Sequence, residues 1–190
     1  MSKISDCISQ QGHEPLLEKV LIDEQTLSAR VAEMGAQISQ DYAGKDPLLV
    51  CILRGGVMFL TDLMKNMSIP HMIDFMAVSS YGVGARSSRG QPRITLDLNT
   101  DVRGRHVILV EDIIDSGHTI DHVMRLLQTR EPASLKLCAL LDKPERREVY
   151  VAIGYAGFTI PNEFVFGYGL DLDEYCRNLP YIGTVKKEYQ

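Results

Sequence analysis

No uninterrupted apolar stretch in this chain approaches the roughly 18–20 residues that a membrane-spanning helix needs. The opening MSKISDCISQQGHEP also lacks an apolar core of signal-peptide length. Positive charge is scarce: 20 Lys and Arg against 25 Asp and Glu leave a formal charge of −5. That balance argues against a general binder of nucleic acid or anionic membrane, which needs a cationic field over much of its surface. It does not exclude a small anionic ligand, for which a local cluster of donors suffices. Cysteine is sparse and scattered. Cys7, Cys51, Cys138 and Cys176 form no CxxC, and two of them sit in the apolar runs LLVCIL and LKLCALL. They read as small buried hydrophobes in a reducing compartment, so the expected location is cytoplasmic. Repeats and low-complexity linkers are absent as well.

What is present suits one substantial core. With 190 residues, 45% hydrophobic and 24% charged, the expectation is a single domain over residues 1–190. The segment 23–42 sets Leu27, Val31, Met34, Ile38 and Tyr42 at helical spacing. LLVCIL (48–53) is a continuous apolar run ended by Arg-Gly-Gly, and VMFLTDLMKNM after it has helical character. HMIDFMAVSSYG (71–82) predicts a strand that leads into a polar stretch, VGARSSRGQPR. VILV (107–110) predicts a buried strand, 119–130 a helix, LKLCALL (135–141) a strand, and FVFGYGL (164–170) the last strand. Continuous apolar strands alternating with amphipathic helices imply an α/β doubly wound, mostly parallel sheet covered on both faces. In such sheets ligands bind beyond the carboxyl ends of the strands. Three of those ends, LRGG, EDIIDSGHT and LDKPERR, are polar or glycine-rich.

VILVEDIIDSGHTI (107–120) carries the most chemistry. Four apolar residues run into Glu111 and Asp112, a third carboxylate follows at Asp115, and the chain breaks into Ser116-Gly117-His118-Thr119. If a helix opens near Thr119, the backbone N–H groups of 116–119 point out of its N-terminus beside two hydroxyls, an arrangement that holds phosphate. Gly117 permits a positive φ or a close approach by the anion. Glu111 and Asp112 accept hydrogen bonds but do not donate, so they suit ribose hydroxyls or a hydrated Mg²⁺. The ligand implied is a sugar phosphate. Two plainer readings stand beside it: a solvated acidic edge, or the Mg²⁺ pocket of a phosphoreceiver domain.

The full stretch resembles the thirteen-residue phosphoribosyl-pyrophosphate motif of the type I phosphoribosyltransferases at every position: four apolar residues, two acids, two apolar residues, Asp, Ser or Thr, Gly, any residue, Thr. LRGG (53–56), SSYG (79–82), LLDKPERR (140–147), GFTIPNEFVFGYGLD (157–171) and RNLPYIG (177–183) resemble, in the same order, blocks of the bacterial hypoxanthine phosphoribosyltransferases. The likeness runs from about residue 20 to the end. It implies a type I phosphoribosyltransferase core with a small hood formed by the N- and C-terminal segments. The implied activity is transfer of the phosphoribosyl group of phosphoribosyl pyrophosphate to N9 of hypoxanthine or guanine, giving IMP or GMP and pyrophosphate with Mg²⁺.

Carried over residue by residue, the resemblance assigns the ribose hydroxyls to Glu111 and Asp112. The 5′-phosphate goes to Asp115, Ser116, Gly117, His118 and Thr119. Asp115 matches the family's proposed base at purine N7; its plainer role is a helix N-cap, and it could serve as both. Leu53, Arg54 and Gly55 match the pyrophosphate loop, with a non-proline cis peptide before the basic residue. Some relatives carry Lys for Arg54 or Ser for Gly56, so neither side chain is strictly required; without the family, Gly-Gly is only a strand-to-helix turn. Arg177 matches the cation that fixes pyrophosphate. Ser80 and Tyr81 match a lid that excludes water, and 79–93 is too long and polar for a routine connection. Arginines 86, 89 and 93 read as a solvated surface.

At the purine end, Lys143 matches the lysine that donates to O6, Phe164 the stacking ring, and Val165 a supplier of backbone contacts; unaided, Phe164 reads as core. Asp171 is counted with this purine-binding group and also resembles the carboxylate for a second metal, so Glu111, Asp112 and Asp171 are the expected Mg²⁺ carboxylates. His118 and His122 lack a third ligand or an HExxH pattern, so zinc is not expected. Expected partners are the small-molecule substrates and a second copy or more, as homodimer or homotetramer, with no nucleic acid and no membrane. Two competing readings remain: a phosphoribosyl-pyrophosphate-sensing regulator on the same fold, or a xanthine–guanine phosphoribosyltransferase.

Overall fold

LLVCIL becomes β2 (Leu48–Leu53), whose first five residues are all buried. It is wholly apolar because both its faces are covered. Leu49 and Cys51 join one hydrophobic cluster, and Leu48, Val50 and Ile52 the other. This is a computed structural model, and it describes residues 3–79 and 93–189. Around β2 lie β3 (Met72–Ser79), β4 (Arg93–Leu96), β5 (His106–Ile114), β6 (Ser134–Asp142) and β7 (Tyr155–Thr159), in a six-stranded sheet of order β4-β3-β2-β5-β6-β7. Only β4 runs antiparallel to its neighbour.

Two helices cover one face and one helix the other. The stripe Leu27, Val31, Met34 and Ile38 is the buried side of α2 (Glu24–Asp41). That helix starts where Asp23 caps it, accepting from the Thr26 amide at 2.7 Å. With α3 (Val57–Lys65), it packs on the face that carries Leu49 and Cys51. The opposite face takes α4 (His118–Gln128) through Ile120, Val123 and Leu127.

A second, three-stranded antiparallel sheet joins β1 (Leu17–Ile22), β9 (Ile182–Val185) and β8 (Val165–Phe166) in the order β1-β9-β8. It is built from chain-terminal segments, as the expected hood is. The N-terminal tail forms α1 (Lys3–Gln11), whose Ile4, Cys7 and Ile8 pack against the cluster containing Phe166 and Val185. FVFGYGL departs from its expectation: only Val165 and Phe166 pair as strand, and they pair in this small sheet. Gly167 and Gly169, with φ of +95° and +98°, turn the chain immediately afterwards, and the Gly167 amide bonds to Leu170 O at 3.0 Å. The last strand is β9. Among the described residues no helix is long and apolar enough to cross a membrane.

Candidate functional site

The cleft arises where two neighbouring strands part. β2 and β5 pair in parallel from Leu48/Val107 to Cys51/Val110 and no further. β2 continues beside β3 as far as Leu53/Ala77, while β5 continues beside β6 as far as Ile114/Asp142. The crossover after β2 leads to one side and that after β5 to the other, so the gap is a topological switch point, where open α/β sheets bind ligands. Pairing with β6 is why the strand does not end at Val110. It draws Glu111, Asp112, Ile113 and Ile114 into β5 and carries the acids along the wall of a cavity of about 310 Å³.

Across the gap the Leu53–Arg54 peptide is cis, and Gly55 lies so near the Asp112 carboxylate that a Cβ there would overlap Asp112 Oδ2. Glu111 is 9% exposed, and no described residue hydrogen-bonds its Oε2. Burial, and then the charge of Asp112, raises its carboxyl well above the ordinary range. Burial pushes Asp112 up to about 6, against the Ile113 amide and the charge of Arg177, while Asp171 adds to the rise. The wall therefore carries one carboxyl, Glu111, with an oxygen that no described residue bonds, beside Asp112, whose Oδ1 accepts from the Ile113 amide at 2.9 Å; a polyhydroxyl ligand would supply donors to both.

At the end of β5, Gly117 is the N-cap of α4 with φ +91°. A Cβ there would stand 2.7 Å from Val149 O, so this turn requires glycine in both conformation and space. The loop is held from outside: the Glu148 and Val149 amides donate to Ser116 O at 2.9 and 3.1 Å. Arg147 donates to Asp115 O at 3.1 Å and ion-pairs with Asp142. Since Gly117 is the cap, Asp115 is not the helix N-cap that its plainer reading supposes. Its side chain instead pairs with Arg146 at 3.2 Å.

The third wall comes from the loop between β8 and β9. Gly169 lies against Gly55, where a Cβ would meet Gly55 O. Arg177 donates to Gly169 O at 2.9 Å and pairs with Asp171 at 3.0 Å. Lys143 follows β6 and is 8% exposed, its amide bonded to Ile114 O at 3.0 Å. Burial lowers the pKa of its ammonium, in part offset by the charge of Asp115. Phe164 is half-exposed, and its carbonyl accepts from the Val185 amide at 2.9 Å.

Residues 21–173 match the phosphoribosyl transferase domain. The chain is 50% identical over 169 residues to a hypoxanthine phosphoribosyltransferase of Escherichia coli, covering 88% of this chain and 94% of that protein. It is 51% identical over 172 residues to one of Haemophilus influenzae, covering 89% and 96%. The crystal structure of a hypoxanthine phosphoribosyltransferase from Staphylococcus aureus matches with a TM-score of 0.89 at 43% identity, covering 94% of this chain and 97% of that one. The chain belongs to the phosphoribosyltransferase family. Its relatives are hypoxanthine phosphoribosyltransferases, and its α/β core with a mostly parallel sheet is their fold.

In this phosphoribosyltransferase, Leu53, Arg54, Gly55, Glu111, Asp112, Asp115, Ser116, Gly117 and Thr119 share one cavity with Asp171 and Arg177. Lys143, Phe164 and Val165 do not line that cavity; Val165 is buried in the core, and Lys143 feels the charge of the cavity residue Asp115. His118 turns away, exposed, and pairs with Glu148 at 2.9 Å. Ser80 and Tyr81, expected in the lid, lie outside the described residues, as do residue 82 of the expected strand and arginines 86 and 89. Sequence reasoning missed Arg146 and Arg147. The only signal was the ERR that ends LLDKPERR, and it says nothing of which loop those side chains reach.

Proposed function

We propose that residues 1–190 act as one phosphoribosyltransferase unit that transfers the phosphoribosyl group of phosphoribosyl pyrophosphate to N9 of hypoxanthine, and of guanine, releasing pyrophosphate. The observation that carries this reading is a single cleft that joins two glycine-dependent turns, at Gly55 and Gly117, with the carboxyls of Glu111 and Asp112, the first of which has an oxygen that no described residue bonds. A ligand with an anion at each end and hydroxyls between them fits that order. The amides and hydroxyls of 116–119 would hold the 5′-phosphate, Glu111 and Asp112 would accept from the ribose, and Arg54 and Arg177 would hold pyrophosphate. Asp115 would take the N7 proton, Lys143 would donate to O6, and Phe164 would stack on the base.

Mg²⁺ fits this site as a shared ligand. Among the described residues no three His, Cys, Asp or Glu side chains group closely enough to hold a metal by themselves. Carboxylate oxygens of Glu111 and Asp112 would hold one ion, and Asp171 a second, each completed by substrate oxygens and water, the usual arrangement for this ion. What it supplies when bound is positive charge against the pyrophosphate. The four cysteines are free, which suits a reducing cytoplasmic setting.

Steady-state kinetics with phosphoribosyl pyrophosphate and hypoxanthine, guanine, xanthine or adenine in parallel tests the proposal. IMP and GMP formation is expected to dominate; turnover of xanthine or adenine alone would overturn it. A second measurement isolates the phosphate turn. Gly117→Ala places a Cβ 2.7 Å from Val149 O at φ +91°, and is expected to weaken IMP binding by roughly 5- to 150-fold, from the roughly 1–3 kcal/mol that such backbone strain costs. Unchanged IMP affinity would remove this loop from the phosphate site.

A further inference from the structure

The two arginines assigned to pyrophosphate are not idle. One oxygen, Glu174 Oε2, accepts from Arg54 Nη1 at 2.9 Å and from Arg177 Nη2 at 3.3 Å. A single carboxylate thus bridges a cation at the end of β2 and a cation in the loop before β9, which approach each other only through the fold. We infer that Glu174 is an exchangeable counter-anion of the pyrophosphate subsite. It occupies both guanidinium groups when no anion is bound, and incoming pyrophosphate displaces it. The inference rests on the proposed role of Arg54 and Arg177, and makes Glu174 a determinant of anion affinity that never touches the reacting atoms.

Three features support exchange. The contact is a wet one: the side chains of Arg54 and Glu174 are 70% and 59% exposed, and exposed ion pairs contribute little and break readily. A ligand with several charged oxygens can outbid one carboxylate at both cations, whereas a ligand that reaches only one of them gains less. The Glu174 carboxylate is also aimed by its backbone. Asp173 and Glu174 have φ of +54° and +72°, a region that non-glycine residues seldom occupy. The turn is braced by the Glu174 amide on Asp171 Oδ2 at 3.0 Å and by reciprocal Leu172/Tyr175 hydrogen bonds of 3.0 and 3.1 Å. Finally, among the described residues the ion pairs of the Glu174 side chain are with these two arginines alone. Removing its charge should therefore change the subsite and leave the core as it is.

The test is calorimetric titration of the full chain and of Glu174→Gln with pyrophosphate and, separately, with IMP, at fixed Mg²⁺ and ionic strength. Pyrophosphate is expected to bind Glu174→Gln roughly 3- to 20-fold more tightly, the span given by releasing two ion pairs, one exposed at Arg54 and one partly buried at Arg177. IMP affinity should stay within about twofold, because its phosphate belongs to the 115–119 turn. The melting temperature should be unchanged. Equal or weaker pyrophosphate binding by the variant overturns the inference. So does an equal gain for IMP, which would mark a general field effect instead of exchange. If the unaltered chain does not bind pyrophosphate at all, the fault lies in the underlying assignment of Arg54 and Arg177, and the two failures are told apart by that titration.

Discussion

Asp115→Asn is expected to lower kcat by roughly 10²–10⁴, the usual contribution of a positioned general base. The substitution preserves shape and removes the proton acceptor. It should not disturb the phosphate turn, because the contacts that pin that turn are to backbone: Glu148 and Val149 amides on Ser116 O, and Arg147 on Asp115 O. Binding of phosphoribosyl pyrophosphate should therefore change little, and the loss should appear in kcat. Arg146 is the complicating neighbour. It holds the Asp115 carboxylate at 3.2 Å, but the two side chains are 51% and 47% exposed, so the pair is weak and an entering purine can displace it. Single-turnover kinetics separates chemistry from product release. An unaltered chemical step in Asp115→Asn would end the proton-transfer role, whatever the steady-state rate.

How far the sequence could be read depended on whether a residue's role is local. β2 and the LCALL stretch of β6 announce themselves as unbroken apolar runs because both their faces are buried, and α2 because its stripe has one period throughout. The turn at Gly117 was equally visible, since a strand, a glycine and a helix start are neighbours in the chain. The hood was not visible in the same way. β1 has one buried residue in six and irregular register against β9, β8 has only two residues and β9 only four; none shows a usable period. β4 is four residues of mostly exposed edge. Even β5 was cut short in the reading, because only its partner β6 explains why a strand should run on through Glu111 and Asp112.

Side-chain roles followed the same rule. Glu111, Asp112 and Asp115 were legible as a motif. Arg146 on Asp115, Arg147 on the turn and Glu174 between two arginines depend on loops far apart in sequence, so no spacing encodes them. The acids also stand where burial works against their charge, raising Asp112 to about 6. A fold tolerates that where a ligand is to supply the missing donors. Sequence shows the acids; only the packing shows that both are pushed toward neutrality and that Glu111 has an oxygen without a donor among the described residues.

Lys143→Gln is expected to lower kcat/KM for hypoxanthine by about 10- to 100-fold and to narrow the gap between hypoxanthine and adenine by a similar factor. The first figure is the loss of a hydrogen bond from a charged donor, roughly 1.5–3 kcal/mol. The second follows from the direction of that bond. Hypoxanthine and guanine offer an O6 acceptor to an ammonium that can only donate, whereas adenine offers an amino group at the same place. With Lys143 only 8% exposed, donor facing donor leaves both unpaired. Sites built to bond one substrate group can reject an analogue lacking it by about 10⁴–10⁵. Gln can turn its carbonyl toward the adenine amino group and recover part of that loss. Folding should not confound the result. Burial lowers the Lys143 pKa from 10.5, so the ammonium costs the folded state stability. That cost is fully present below the folded pKa and disappears as pH rises past the unfolded value, so at neutral pH a neutral Gln relieves it. The melting temperature of Lys143→Gln should accordingly not fall. If hypoxanthine turnover and the adenine ratio both stay as they were, Lys143 does not read O6, and the purine does not lie between β6 and Phe164.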